Sequence, residues 1–108
     1  MTYSADELAE FYARHRALHE AGDWDGLGDL FTEDASYLDS VYGWSRGLPA
    51  IRAFLKESMT GLDDWEFPIS AVAYDTDHGV ILNHWANRLP GTRPDGTFYD
   101  VPGASVLT

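Results

Sequence analysis

The sequence predicts an α+β protein, with helices in its first half and antiparallel strands in its second. Three observations carry this. Apolar residues recur every three or four positions from Leu8 to Leu18 and again from Ile51 to Met59, as they do on the buried face of a helix. From Trp65 onward the period falls to two, as on a half-buried strand. The chain has 108 residues, 44% apolar and 14% aromatic, enough for one hydrophobic core. Helices and strands segregated in this way pack as a helical layer on one face of a mostly antiparallel sheet.

Each element has a local reason. Ser4 is a good N-cap for the first helix, and Glu7 stands where a capping-box partner belongs. Leu8, Phe11, Tyr12, His15 and Leu18 form its buried stripe. Gly22 ends it, and Asp23 caps a short second helix whose apolar face is Trp24, Leu27, Leu30 and Phe31. "TEDASYLDSVYG" (Thr32 to Gly43) reads as a turn and a short strand, and "VYGWSRG" as a loop. Pro49 suits the first turn of a third helix, with Ile51, Phe54, Leu55, Ser58 and Met59 turned inward and Gly61 as its stop. A strand then alternates Trp65, Phe67, Ile69 and Ala71. "TDHG" turns the chain into "VILNHWANRL", "PGTRPDGT" is a turn-rich connection, and "FYDVPGASVLT" begins a last strand with a bulge expected at Pro102 and Gly103. A sheet that stops at Thr108 exposes an edge, so residues 1–108 are expected to form a single domain lacking its final strand.

Composition excludes several classes of function. There is no cysteine, so no disulfide, thiolate nucleophile or cysteine-bound zinc. Eighteen acidic residues against seven basic ones give a net charge of -11, a surface that repels nucleic acid and anionic membranes. With neither a signal-peptide pattern nor a long apolar run, the expected location is cytoplasmic. No phosphate loop, nucleophile elbow or catalytic triad is visible.

The residues that ask for an explanation are polar ones on apolar faces. Strand alternation puts Asp39 on one face with Ala35, Tyr37 and Val41, the more apolar of the two and so the inward one. A carboxylate there suits general-base work, or else a structural aspartate bonded to the amides of "SVYG". His15 interrupts the stripe of the first helix. It is either a satisfied core histidine or a neutral imidazole able to donate to an oxyanion or relay a proton with Asp39. His19 lies four residues on, but no third ligand converges, and no metal is expected. On "NHWANRL" alternation alone leaves the inward face open. Trp85 favours its own, which brings Asn87 or Asn83 inside. Tyr37 and Trp44 can add aromatic wall, and Trp44 can equally be a dimer contact.

"AGDWDGLGDLFTEDASYLDSVYG" (Ala21 to Gly43), followed by "GLPAIRAFL" (Gly47 to Leu55), resembles the nuclear transport factor 2-like superfamily, in its SnoaL-like polyketide cyclase and ketosteroid isomerase branch. The resemblance runs over nearly the whole chain. It implies a cone-shaped curved sheet wrapped on three N-terminal helices, a cystatin-like roll with an apolar pocket. Members include isomerases, cyclases, dehydratases, epoxide hydrolases and non-catalytic binding proteins, so fold alone does not set function. Asp39 matches the general base of the ketosteroid isomerases. The tyrosine and the protonated acid of their oxyanion hole fall on His15 and Ser105, which depart from that pattern.

These readings converge on an enzyme that needs no cofactor and acts on an apolar, carbonyl-bearing or polycyclic molecule. Asp39 and His15 are the candidate catalytic residues; Tyr12, Tyr37, Trp85, Asn87 and Ser105 are the candidate ligand contacts. Asp39, His15 and Trp85 are expected around one apolar cavity. The alternative is a non-catalytic binding or dimeric interaction module. Epoxide hydrolysis ranks lower, since Arg88 has no evident second aspartate to complete an Asp-Arg-Asp relay. Apolar strand residues left over, such as Val72 and Tyr74, point to a homodimer.

Overall fold

The computed structural model describes residues 2–108 in the order α1 (Ala5–Ala21), α2 (Trp24–Gly28), β1 (Ser36–Asp39), β2 (Gly43–Arg46), α3 (Leu48–Ser58), β3 (Ile69–Asp75), β4 (Val80–Thr92) and β5 (Phe98–Leu107). This is the expected α+β order, with all strand pairs antiparallel. The chain divides into two compact units. One joins the N-terminal residues, to Tyr12, with Leu62–Thr108; the other is Ala13–Gly61. α1 contributes to both.

In the first unit α1 begins on a reciprocal capping box. Glu7 N–H donates to Ser4 Oγ at 3.0 Å, and Ser4 N–H to Glu7 Oε1 at 3.3 Å, which satisfies two of the donors a helix start leaves open. The stripe then places Leu8 and Tyr12 in a core with Ile81, joined by Phe11, Ile69, Val72 and Leu107. The sheet order is β3-β4-β5. Ile69, Val72 and Tyr74 lie opposite Trp85, Asn83 and Ile81, which lie opposite Gly103, Ser105 and Leu107. Directly paired residues share a face, so these rows form the side that carries the core.

Three expectations about the strands are corrected here. β3 starts at Ile69 rather than Trp65, because Pro68 lacks the donor a ladder needs. A register shift at Ser70 then moves Ala71 to the other face and Val72 to the core face. Val72 therefore packs against the core and is not left over, whereas Tyr74 stays exposed. β4 runs on through Pro90 and Gly91 to Thr92, past an irregularity between Arg88 and Thr92, and the turn itself is only "RPDG", closed by Gly96 N–H to the Arg93 carbonyl at 2.9 Å. No bulge occurs at Pro102 and Gly103, which pair in register with Ala86 and Trp85. Ala86 donates to the Pro68 carbonyl on the β3 side, so its partner Pro102 directs its nitrogen away from β4, where a proline costs no ladder bond.

In the second unit Asp23 accepts from Gly26 N–H at 2.9 Å and starts α2. Leu27, Ile51 and Leu55 form its core, with Leu18, Trp24, Leu30, Phe31, Ala35 and Tyr37 packed around them. Ile51 is fully enclosed, so truncating it to alanine costs about 2–5 kcal/mol. Arg52 ties α3 to α2, donating to the Asp25 carbonyl at 2.9 Å and to Asp29 Oδ1 at 2.6 Å. The expected loop "VYGWSRG" contains β2, which pairs with β1 from Asp39↔Gly43 to Ser36↔Arg46. Gly43 takes φ +82°, the left-handed conformation that closes a three-residue hairpin loop. Four-residue strands are too short to declare themselves by alternation.

Candidate functional site

The site candidates fall into one group in each unit. In the second unit β1 turns Ala35, Tyr37 and Asp39 to its more buried side. The alternation stops there, since Val41 stands in the hairpin loop and is 81% exposed. Asp39 is half-buried. Its Oδ1 accepts from Val41 N–H at 2.8 Å and from Tyr42 N–H at 2.9 Å. Oδ2 accepts no hydrogen bond from the described residues. One oxygen thus shapes the loop and the other remains open to chemistry.

Aromatic rings line this part of the hairpin. Tyr37 lies between Phe31 (6.1 Å between centroids) and Phe54 (5.3 Å), and Tyr42 stands edge-on to Phe54 at 5.9 Å. Burial, and then the Asp39 charge, push the Tyr37 phenol above its usual range, which keeps it protonated at neutral pH. His15 is half-buried on α1. Burial, assisted by His19, brings its imidazole down to about 4, so it is neutral at pH 7. His19 is lowered as well, by burial with a smaller opposing effect of Glu20, and sits edge-on to Trp24 at 5.2 Å. Trp44, opposite Leu38 on the hairpin, is exposed, with the Arg46 guanidinium 4.4 Å above its ring.

The first unit brings Tyr12, Ser105 and Trp85 together through a residue the sequence left as an alternative, Asn83. Asn83 Nδ2 donates to Tyr12 Oη at 2.6 Å, and Asn83 Oδ1 accepts from Ser105 N–H at 2.9 Å. Trp85 Nε1–H donates to Ser105 Oγ at 3.0 Å. The indole lies across Gly103, where a Cβ would come within 2.7 Å of the ring. Only glycine allows that approach. Phe67 meets the same indole edge-on at 6.3 Å. Asn87 shares this face but makes only a long bond to the Val101 carbonyl, 3.4 Å. Trp85 therefore identified the inward face of β4 correctly. The central role of Asn83 joins residues 71 and 22 positions away, which no local pattern reveals.

Arg88 proves to have an aspartate after all. It makes two bonds to Asp100, at 2.9 and 3.0 Å, with Glu66 at 3.9 Å, and its guanidinium covers the Phe98 ring at 3.8 Å. By strand alternation it lies on the face opposite Asn83 and Trp85. The cavity of about 470 Å³ lined by Glu33, Leu48, Pro49 and Arg52 contains none of the predicted site residues. Among the described residues no three His, Asp or Glu are grouped to hold a metal, and no helix is long and apolar enough to cross a membrane.

A helical N-terminus followed by a hairpin and an antiparallel sheet, with a half-buried aspartate on the first strand, defines a class of small α+β proteins. Within that class, the model of the SnoaL-like domain matches residues 6–108, and the chain belongs to the SnoaL-like family, within the nuclear transport factor 2-like superfamily. It is similar in structure to SalBIII, described as an epoxide hydrolase/cyclase-like enzyme with a role in pyran ring formation in the polyether salinomycin. The TM-score is 0.74 at 20% identity, covering 95% of this chain and 80% of that one. It is similar also to a protein from Shewanella putrefaciens described as a SnoaL-like polyketide cyclase (TM-score 0.70, 16% identity, 94% and 77% covered). A third neighbour is a protein of unknown function with a cystatin-like fold from Methylobium petroleophilum (TM-score 0.70, 16% identity, 98% and 68% covered). At these identities the likeness shows the fold. No curated protein sequence is significantly similar to the chain.

Proposed function

We propose that this SnoaL-like protein is a cofactor-independent enzyme of the isomerase or cyclase type, acting on an apolar, carbonyl-bearing or polycyclic molecule with Asp39 as general base. The observation that carries the reading is the division of labour within its carboxylate. Both amide bonds fall on Oδ1, so Oδ2 is the atom that takes the proton. In an isomerisation, Oδ2 removes a proton from carbon next to the substrate carbonyl, and the electron pair moves onto the carbonyl oxygen. The proton then returns from Oδ2 to a second carbon as the carbonyl re-forms. The neutral His15 imidazole supplies an N–H donor for the oxygen while it carries charge. Tyr37 provides aromatic wall. Tyr12, Trp85, Asn87 and Ser105 are the proposed ligand contacts of the first unit. The proposed setting is the cytoplasm, and the proposed assembly a homodimer.

The reading is tested with a β,γ-unsaturated cyclic ketone, whose conversion to the conjugated enone is followed by ultraviolet absorbance. Asp39→Asn keeps an Oδ1 acceptor for Val41 and Tyr42 and removes the basic oxygen, so the rate falls by about 10²–10⁴-fold while the melting temperature holds. Turnover unchanged in Asp39→Asn overturns the general base.

The two amide bonds also favour the other reading, a non-catalytic binding module in which Asp39 only shapes the hairpin. There, wild-type protein gives no turnover, and Asp39→Ala lowers stability by about 1–2 kcal/mol through two lost acceptors. The Arg88–Asp100–Glu66 cluster does not support epoxide hydrolysis beside Trp85, because by strand alternation it occupies the opposite face of the sheet.

A further inference from the structure

The cavity of about 470 Å³ in the second unit, lined by Glu33, Leu48, Pro49 and Arg52, lies outside the site assigned above. Two of its residues carry opposite charges that do not meet. Arg52 makes its ion pair with Asp29, and the exposed Glu33 carboxylate takes no hydrogen bond or ion pair among the described residues. Both are nonetheless held in place. The Glu33 carbonyl accepts from Leu48 N–H at 3.0 Å, which pins its backbone beside the first turn of α3. Leu48 and Arg52 stand four positions apart on one side of that helix, about 6 Å along its axis. The Arg52 side chain crosses Gly28, where a Cβ would come within 2.6 Å of Nη1, and donates to the Asp25 carbonyl and to Asp29. A guanidinium carries five N–H donors, so several remain free after those two bonds.

We propose that this cavity binds an α-amino acid with an apolar side chain. Its ammonium sits on Glu33, its carboxylate on the free N–H groups of Arg52, and its side chain against Leu48 and Pro49. The assignment follows from charge and spacing. An ammonium and a carboxylate on one carbon, each in a charge-assisted contact of about 2.8 Å, bridge two groups set about 6 Å apart along the helix that leave each other unpaired. A cation alone is opposed by Arg52, and an anion alone by Glu33 and Asp29, whereas a zwitterion is matched at both ends. Leu48 and Pro49 give the apolar floor between them, and an apolar surface with few polar groups that set orientation is the usual composition of a small-molecule site. The site is separate from the Asp39 reading above, since none of the residues proposed there lines this cavity.

The test is a titration of the full chain with L-phenylalanine to millimolar concentration, followed by its ¹H–¹⁵N amide signals. The controls are 2-phenylethylamine, which lacks the carboxylate, and 3-phenylpropanoate, which lacks the ammonium. L-phenylalanine is expected to move the amide signals of Glu33, Leu48 and Arg52 and to bind about threefold tighter than either control, the worth of one exposed ion pair. In Glu33→Gln the advantage over 3-phenylpropanoate falls to about one, while the advantage over 2-phenylethylamine persists. Arg52→Gln, if folded by its amide spectrum, gives the reverse pattern. An advantage over 3-phenylpropanoate that survives Glu33→Gln overturns the assignment, as does wild-type protein that shows no preference for the zwitterion or no movement at those three signals. Binding is expected to be unchanged in Asp39→Asn, so a failure of this site and a failure of the general base are read separately.

Discussion

His15 makes the protein's stability depend on pH in a direction that can be worked out. Its imidazole is lowered from 6.5 to about 4, chiefly by burial and further by His19. In the unfolded chain it takes up a proton near pH 6.5; in the folded protein it does so only near 4. Between those values the unfolded state binds more protons, so stability rises with pH. The contribution is fully present above about pH 6.5, is lost as the pH falls, and is gone below about 4. A shift from 6.5 to about 4, at 1.36 kcal/mol per unit, sets a ceiling of about 3 kcal/mol. His19 acts with the same sign, and the exposed carboxylates add their own slopes, so the assay is a difference. Urea unfolding of wild type and His15→Leu is measured from pH 7.5 to 4. The stability of His15→Leu relative to wild type should improve on acidification, by up to about 3 kcal/mol and mostly between pH 6.5 and 4.5. The His15 ring resonances, followed in parallel, should titrate well below 6. A difference independent of pH, or a His15 that titrates near 6.5, refutes the burial argument and with it the neutral-imidazole role.

Gly103→Ala should displace the Trp85 indole, cost about 1–3 kcal/mol by overpacking and shift the Trp85 indole signal; an unaltered signal and denaturation curve would contradict the close approach across β5. Asp39→Ala should be less stable than Asp39→Asn by about 1 kcal/mol, because only the amide keeps an acceptor for the hairpin; equal stabilities in thermal unfolding would mean those two bonds contribute nothing. The proposed homodimer buries the outer sheet face, where Leu82 and Val106 are exposed and alanines 71, 73 and 104 surround them. Sedimentation at about 10 µM should give twice the 12.0 kDa chain mass, and Leu82→Glu should halve it; a monomer at that concentration refutes the interface.

What could be read in advance depended on how local its cause was. The α1 start was legible because Ser4 and Glu7 cap each other across three positions, and the helix stripes were legible because one face repeats. The β3 face was misread at Ala71 because one extra residue at Ser70 reverses everything after it. β2 escaped notice because its four residues include a glycine and only pairing with β1 makes them a strand. The sequence suggests a bulge at Pro102 because proline usually interrupts a ladder, and only the strand order reveals that its nitrogen has no rung to break. For the site, Trp85 named the inward face, and both fates of Asp39 were visible as alternatives. The Asn83 array was not, because its bonds depend on register between β4 and β5 and on the phase of α1.

The outward-facing nitrogen of Pro102 has a consequence for whatever lies alongside β5. Within the described residues β5 has β4 as its one neighbour, and its free side offers alternate N–H and C=O groups to any passing strand. At position 102 that series lacks a donor. An added strand in regular register would leave a carbonyl unmatched there, so pairing is confined to one side of the proline or must bend around it. Indiscriminate edge-to-edge stacking of copies is thereby hindered, while a segment shaped to skip that rung is admitted.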